Sequence, residues 1–115
     1  MWQLAMKLAA EVYRCTEGFP KHEVYGLTSQ IRRASVSVPS NIAEGKGHRS
    51  EREFLHYLFH ARGSLFELET QLLLAKQLQY ISEGDSALLQ DSVAAVARSL
   101  TGLINSLVSQ AAEAS

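Results

Sequence analysis

Between Phe54 and Ala75 apolar residues recur at alternating spacings of four and three: Phe54, Leu58, Ala61, Leu65, Leu68, Leu72 and Ala75. An α-helix turns once every 3.6 residues, so this spacing lines one helix face, whereas a half-buried strand needs alternation at every second residue. Ser50 stands at the N-cap position with Glu53 at the capping-box position, and the helix is expected to run unbroken to about Gln79. A second stripe, Leu55, Phe59, Phe66 and Leu73, lies beside the first. Together they form an apolar face wider than one seam. Such a helix must either sit centrally in the fold or pack against another subunit as well.

Three further segments carry the same periodicity. One runs from about Trp2 to Thr16, with Trp2, Ala5, Ala9, Val12 and Thr16 on a stripe, and stops at EGFPKHE, where Gly18 and Pro20 supply the signal. Another spans about Leu27 to Glu44. The last begins near Ser82 and carries Leu89, Val93, Val96, Leu100, Leu103, Leu107 and Ala111, with Leu88 and Ile104 off the main stripe. Four helices with short connections predict an all-α, antiparallel up-and-down four-helix bundle. At 115 residues, 46% of them hydrophobic, the chain 1–115 forms a single domain that can bury a core without metal or disulfide staples.

The segment QIRRASVSVPSNIAEGKGHRS, Gln30 to Ser50, tests this assignment. Its SVSV alternates like a strand, but a lone strand would leave its backbone N–H and C=O groups unpartnered. The stripe Leu27, Ile31, Ala34, Val38 and Ile42 passes straight through Pro39, so the segment is helical. Pro39 removes one backbone donor and its ring crowds the carbonyl of Ser35, which predicts a kink. Ser35, Ser37, Ser40 and Asn41 are suitably polar to satisfy the freed carbonyls. Gly45 is expected to end the helix as its C′ residue, followed by a short turn.

Little in the chain points to catalysis. A phosphate loop needs G-x-x-x-x-G-K-[ST] after a strand, and Gly45-Lys46-Gly47 has neither the order nor the strand. His56 and His60, four apart, have a spacing that can present two imidazoles to one metal ion. No H-E-x-x-H and no third ligand accompany them, so no metal site is expected. Cys15 is the only cysteine, which excludes an intrachain disulfide, and it fits the part of a small packing residue. No nucleophile–base pair or cofactor fingerprint stands out; neither catalytic residues nor a cofactor is expected.

Net charge is −1, yet residues 1–62 hold nine Lys/Arg against six Asp/Glu, and residues 63–115 hold two against six. Lys46, Arg49 and Arg52, joined by Arg32 or Arg33, are expected to form a basic patch at one end of the bundle. Arg32 and Arg33 point about 100° apart on their helix. Either one pairs with Glu67 or Glu69 while the other stays free for a partner, or both are solvated. In an oligomer the patch would recur on every subunit and its phosphate contacts would sum. No apolar run approaches the roughly 18 residues of a membrane span, and the N-terminus lacks a secretory n-region. A cytoplasmic protein without a membrane partner is expected.

The stretch GLTSQIRRASVSVPSNIAEGKG, followed by EFLHYLFHARGSLFELETQLLLAKQLQYI, resembles the four-helix-bundle family of the 23S rRNA intervening sequence proteins. That family includes the accessory variability determinant of diversity-generating retroelements. The resemblance rests on L-T-x-Q-I-R-R-A, S-x-P-x-N-I-A-E-G and G-S-L-x-E-L-E-T, present in that order, and fades only in the last helix. It implies a bundle that assembles into a ring- or cone-shaped homopentamer. Its shared positions are Arg32, Arg33, Pro39, Asn41, Glu44, Gly45, Gly63, Ser64, Glu67 and Glu69, none an established catalytic residue. Two positions depart from the pattern. His48 stands where an arginine commonly follows G-x-G, and Gln79 replaces the glycine usual in LGYI, which makes the exit from that helix a point of difference.

The functional expectation is a non-enzymatic oligomeric scaffold whose basic end contacts RNA or a nucleic-acid-processing protein. The alternative is a protein–protein interaction module whose basic end receives an acidic peptide or partner.

Overall fold

The computed structural model describes Met1 to Ala114. Four α-helices follow one another: α1 Trp2–Thr16, α2 Leu27–Lys46, α3 Glu51–Gln77 and α4 Glu83–Ala114, with a 3-10 turn at Lys21–Glu23 between the first two. Each helix packs against its chain neighbours and α1 also packs against α4, which closes an up-and-down bundle 52 Å long.

The α3 stripe forms the spine of the core. Leu58, Ala61, Leu65, Leu68, Leu72 and Ala75 are buried, and Phe54 packs against them from a partly buried position. On α2 the whole expected stripe is buried, Leu27, Ile31, Ala34, Val38 and Ile42. On α1, Ala5, Ala9, Val12 and Thr16 are buried as expected, but Trp2 lies exposed and Leu8 joins the core. On α4, Ile104 is core while Leu103 is only partly buried, the reverse of the expectation. Over 32 residues a fixed three-four pattern drifts against the 3.6-residue turn, and the core-facing position passes from 103 to 104. By length and composition α4 is apolar enough to cross a membrane (Glu83–Glu113, mean hydropathy 1.2), and 28% of its apolar window is buried in the bundle.

The helix ends follow from local chemistry. Ser50 Oγ accepts the Glu53 backbone N–H at 3.1 Å, the cap read from the sequence. At the exit of α3, Tyr80 N–H bonds to Ala75 O at 2.9 Å and Gln79 N–H to Lys76 O at 3.0 Å, the paired bonds of a Schellman turn. Gln79 takes the left-handed conformation at φ 62°. The exit therefore keeps the geometry that a glycine would favour, and the glutamine carries the steric cost.

The exit of α2 differs from expectation. The helix continues to Lys46, and Gly47 at its C-cap has φ −74°, so Gly45 is not a left-handed terminator. Gly45 is a contact residue. A Cβ built there would lie 2.8 Å from Tyr57 Cβ and 2.9 Å from Phe54 Cδ1, so the glycine lets α2 and α3 approach closely. Pro39 sits buried inside α2. Around it, Ser35 Oγ donates to Arg32 O at 2.8 Å and Asn41 Nδ2 to Ser37 O at 2.8 Å. These donors serve carbonyls on either side of Ser35, whose own carbonyl is the one facing the proline ring. Ser37 Oγ also meets Ser64 Oγ at 2.8 Å, a polar bond between α2 and α3.

Candidate functional site

The five basic residues picked from the sequence fall into two groups. Lys46 ends α2, Arg49 lies in the following turn and Arg52 in the first turn of α3; all three are exposed at one end of the bundle. Arg32 and Arg33 lie 13 or 14 residues earlier on α2, about 20 Å away at 1.5 Å per residue. A continuous helix cannot bring them to the same end, so the single patch is corrected to two sites.

The first site is mixed in charge. Glu44, Glu51 and Glu53 share it with the three basic residues, and His48 Nδ1 lies 3.8 Å from Glu53 Oε2. His48 stacks on Tyr57 with ring centroids 4.9 Å apart, and Tyr57 OH donates to Glu44 Oε1 at 3.4 Å. Burial and then the Glu44 charge raise the Tyr57 hydroxyl above its ordinary pKa.

Of the two alternatives for Arg32 and Arg33, the pairing with Glu67 or Glu69 is not formed, and Arg32 has its partners on α1 instead. Arg32 Nε donates to Thr16 Oγ1 at 2.8 Å and its Nη2 to Tyr13 O at 3.3 Å, with the guanidinium 4.7 Å from the Tyr13 ring centroid. Thr16 in turn donates to Val12 O at 2.8 Å. Arg32 therefore ties α2 to the last turn of α1, a neighbour of α2 that the sequence reading did not weigh. Arg33, about a third of a turn away, borders two cavities, one of about 600 Å³ shared with Arg32 and Tyr13 and one of about 190 Å³ toward α3 with Gln30, Ala34, Ser37, Ser64 and Glu67. Glu67 Oε1 accepts from Gln71 Nε2 at 3.1 Å, and Glu69 is partly buried on the same helix. Among the described residues no arginine lies within ion-pairing distance of either glutamate.

His56 and His60 have ring centroids 4.5 Å apart and edge a groove with Phe59, Gly63, Ser64 and Glu67. Among the described residues no three His, Cys, Asp or Glu side chains are grouped to hold a metal ion. Cys15 is half-buried against the core, and burial, then the Asp85 charge, push its thiol pKa up.

Two apolar surfaces stand uncovered. On α3, Phe59, Phe66 and Leu73 are 45%, 51% and 50% exposed. Phe66 lies two residues beyond Ser64, about 200° round the helix from the residue that bonds α2. Gly63, exposed in mid-helix beside this stripe, would carry a Cβ that meets nothing within 4 Å. Across the bundle, α1 and α2 enclose an apolar groove of about 410 Å³ lined by Trp2, Met6, Ala9, Ala10, Tyr13, Val36, Pro39, Ser40 and Ala43. The sequence reading found the α3 stripe but missed the groove. Trp2, Met6, Tyr13 and Val36, all exposed, were its local signal, and the groove itself arises from how α1 packs on α2.

The arrangement is that of an antiparallel helical bundle whose distinctive features are an uncovered apolar stripe and an apolar groove. A profile of the 23S rRNA-intervening sequence protein family matches residues 1–102, and the chain belongs to that family. It is also similar to the crystal structure of a protein with unknown function from the S23 ribosomal protein family of Bacteroides thetaiotaomicron VPI-5482. That likeness has a TM-score of 0.83 at 19% identity and covers 90% of this chain and 96% of the other; it is a likeness of fold. No curated protein matches the chain.

Proposed function

We propose that the protein is a non-enzymatic, cytoplasmic scaffold that assembles from identical copies and presents RNA with the repeated basic end formed by Lys46, Arg49 and Arg52. The uncovered Phe59–Phe66–Leu73 stripe carries this reading, because a chain of this size gains by removing three large side chains from water. The apolar α1–α2 groove on another side of the bundle is its complement. A ridge on one copy seated in a groove on the next is a head-to-tail contact, which closes into a ring when the rotation permits. The family resemblance implies five copies. Gly63 fits the same role, since a residue without a side chain beside the ridge admits a neighbouring backbone.

Glu44, Glu51 and Glu53 offset the three cations within one copy, so RNA binding rests on the phosphate contacts of Lys46, Arg49 and Arg52 summing over the subunits of a ring. Mass in solution tests the assembly, with a multiple of 12.7 kDa expected at micromolar concentration and dissociation expected for Phe66→Glu. A monomeric mass for the unaltered protein would overturn the scaffold reading. RNA binding is expected to weaken steeply with salt and to fall in an Arg49→Glu/Arg52→Glu variant. Binding to a protein partner that persists in that variant at high salt would favour the alternative, a protein-interaction module.

A further inference from the structure

An open cavity of about 600 Å³ lies on α2 near its start, bordered by Tyr13 of α1 and Val24 of the connecting turn. Its lining combines Arg32 and Arg33 with the hydroxyl residues Thr28, Ser29 and Ser37 and the flat or apolar side chains Tyr13, Val24 and Val36; no lining residue is acidic. A second cavity of about 340 Å³ adjoins it through Val24, Thr28 and Arg32 and adds Lys21. The one carboxylate there, Glu17, borders only the smaller cavity.

Thr28 supplies an independent observation. It is 6% exposed, it lines both cavities, and its Oγ1 is buried without a hydrogen-bond partner. A helical threonine ordinarily donates to the carbonyl four residues back, but for Thr28 that residue is Val24, which precedes the helix. The hydroxyl oxygen itself is sealed from solvent, so it faces the cavity only after rotation about χ1, where it can donate to or accept from a ligand oxygen.

We propose that this cavity binds a nucleoside monophosphate unit. Arg33 and the hydroxyls of Thr28 and Ser29 receive the phosphate, because a guanidinium beside hydroxyl donors suits phosphate oxygens. The base lies against the guanidinium plane of Arg32, whose other face covers Tyr13 at 4.7 Å, and against the side chains of Val24 and Val36. Inorganic phosphate alone would leave most of this volume and its apolar wall unused. Tyr25, 96% exposed on the neighbouring turn, gives a continuing strand a second stacking surface. The site depends on neither the assembly nor the Lys46–Arg49–Arg52 end proposed above.

Calorimetric titration of the purified protein with AMP, UMP, inorganic phosphate, adenosine and a short single-stranded oligoadenylate tests it. AMP or the oligonucleotide is expected to bind more tightly than both phosphate and adenosine. Saturation by AMP supports the site as one for free nucleotides; binding of the oligonucleotide alone supports a nucleotide within a strand. Arg33→Gln is expected to weaken binding about tenfold or more, the effect of a lost charge-assisted hydrogen bond. Thr28→Val is expected to weaken it several-fold without lowering the thermal midpoint, since the hydroxyl has no partner in the unliganded protein. Arg49→Glu/Arg52→Glu is expected to leave AMP binding unchanged, which separates this site from the proposed RNA surface. Equal affinity for phosphate and AMP, undiminished binding in both cavity variants, or no nucleotide binding at all would overturn the proposal. So would Arg33-dependent binding of anionic phospholipid vesicles by a protein that binds no nucleotide.

Discussion

Tyr80 donates a 2.9 Å hydrogen bond to Glu23 Oε2, while Glu23 Oε1 accepts the Leu27 backbone N–H at 3.1 Å. One carboxylate thus caps the start of α2 and holds the exit of α3, and the Tyr80 ring packs on Phe19 at 5.6 Å between centroids. Gly26 is the N-cap residue, and a Cβ there would meet Glu23 Oε1 at 2.6 Å; its missing side chain leaves room for this capping from a distance.

The Leu27 N–H, and after it the Tyr80 hydroxyl, lower the Glu23 carboxyl pKa. A carboxyl lowered on folding contributes stability above its unfolded pKa, about 4.3, and that contribution is lost as pH falls through the folded value. Glu23→Ala is expected to melt at a lower temperature than the parent at pH 7, with the gap narrowing at pH 3. An unchanged gap in thermal scans at the two pH values would show that the charge has no part in the cap.

Gln79 is the non-glycine residue held at positive φ among the described residues. Gln79→Gly removes the clash of its Cβ in the left-handed region and is expected to raise stability by about 1 kcal/mol in urea titration. The Schellman bonds are made by backbone atoms and remain available to the glycine variant.

Gly45 and Gly63 are expected to respond oppositely to alanine. Gly45→Ala forces a methyl group against Phe54 and Tyr57 and is expected to cost about 1–3 kcal/mol. Gly63→Ala meets open space in the single chain and is expected to add about 0.5–1 kcal/mol to the fold through helix propensity. Under the proposed assembly the same methyl is expected to intrude on the neighbouring copy and weaken association. Denaturation of each variant, paired with its mass in solution, reads both effects.

Ser92 on α4 donates to Glu11 Oε1 on α1 at 2.9 Å, and Glu11 is 6% exposed. Ser92→Ala removes that donor from a buried carboxylate and is expected to cost about 1–3 kcal/mol. Ser92→Thr keeps the hydroxyl and is expected to retain most of the stability.

The residues that were legible are those whose fate depends on neighbours within one helical turn. The α2 and α3 core stripes, the Ser50–Glu53 cap and the passage of helix through Pro39 follow from spacing and from backbone donors that must be satisfied. Arg32 was not legible in this way. Its partner depends on how far α2 is rotated toward α1, and the motif offered only the glutamates of α3 as candidates. Gly45 reads as a terminator from its sequence position, yet its role is set by Phe54 and Tyr57 across a turn. Leu103 and Ile104 exchange places because accumulated helical phase, invisible in a short window, decides which of two adjacent residues faces inward.

By itself the sequence determined that this chain forms four helices, which faces α2 and α3 bury and which family it resembles, because periodicity and capping are local and repeat every turn. Only the tertiary structure decided that the basic residues split into two sites, that Arg32 binds α1, and that Thr28 keeps an unpartnered hydroxyl beside a cavity. Those facts depend on the rotation and crossing of whole helices, which arise from the summed packing of the core rather than from any short segment.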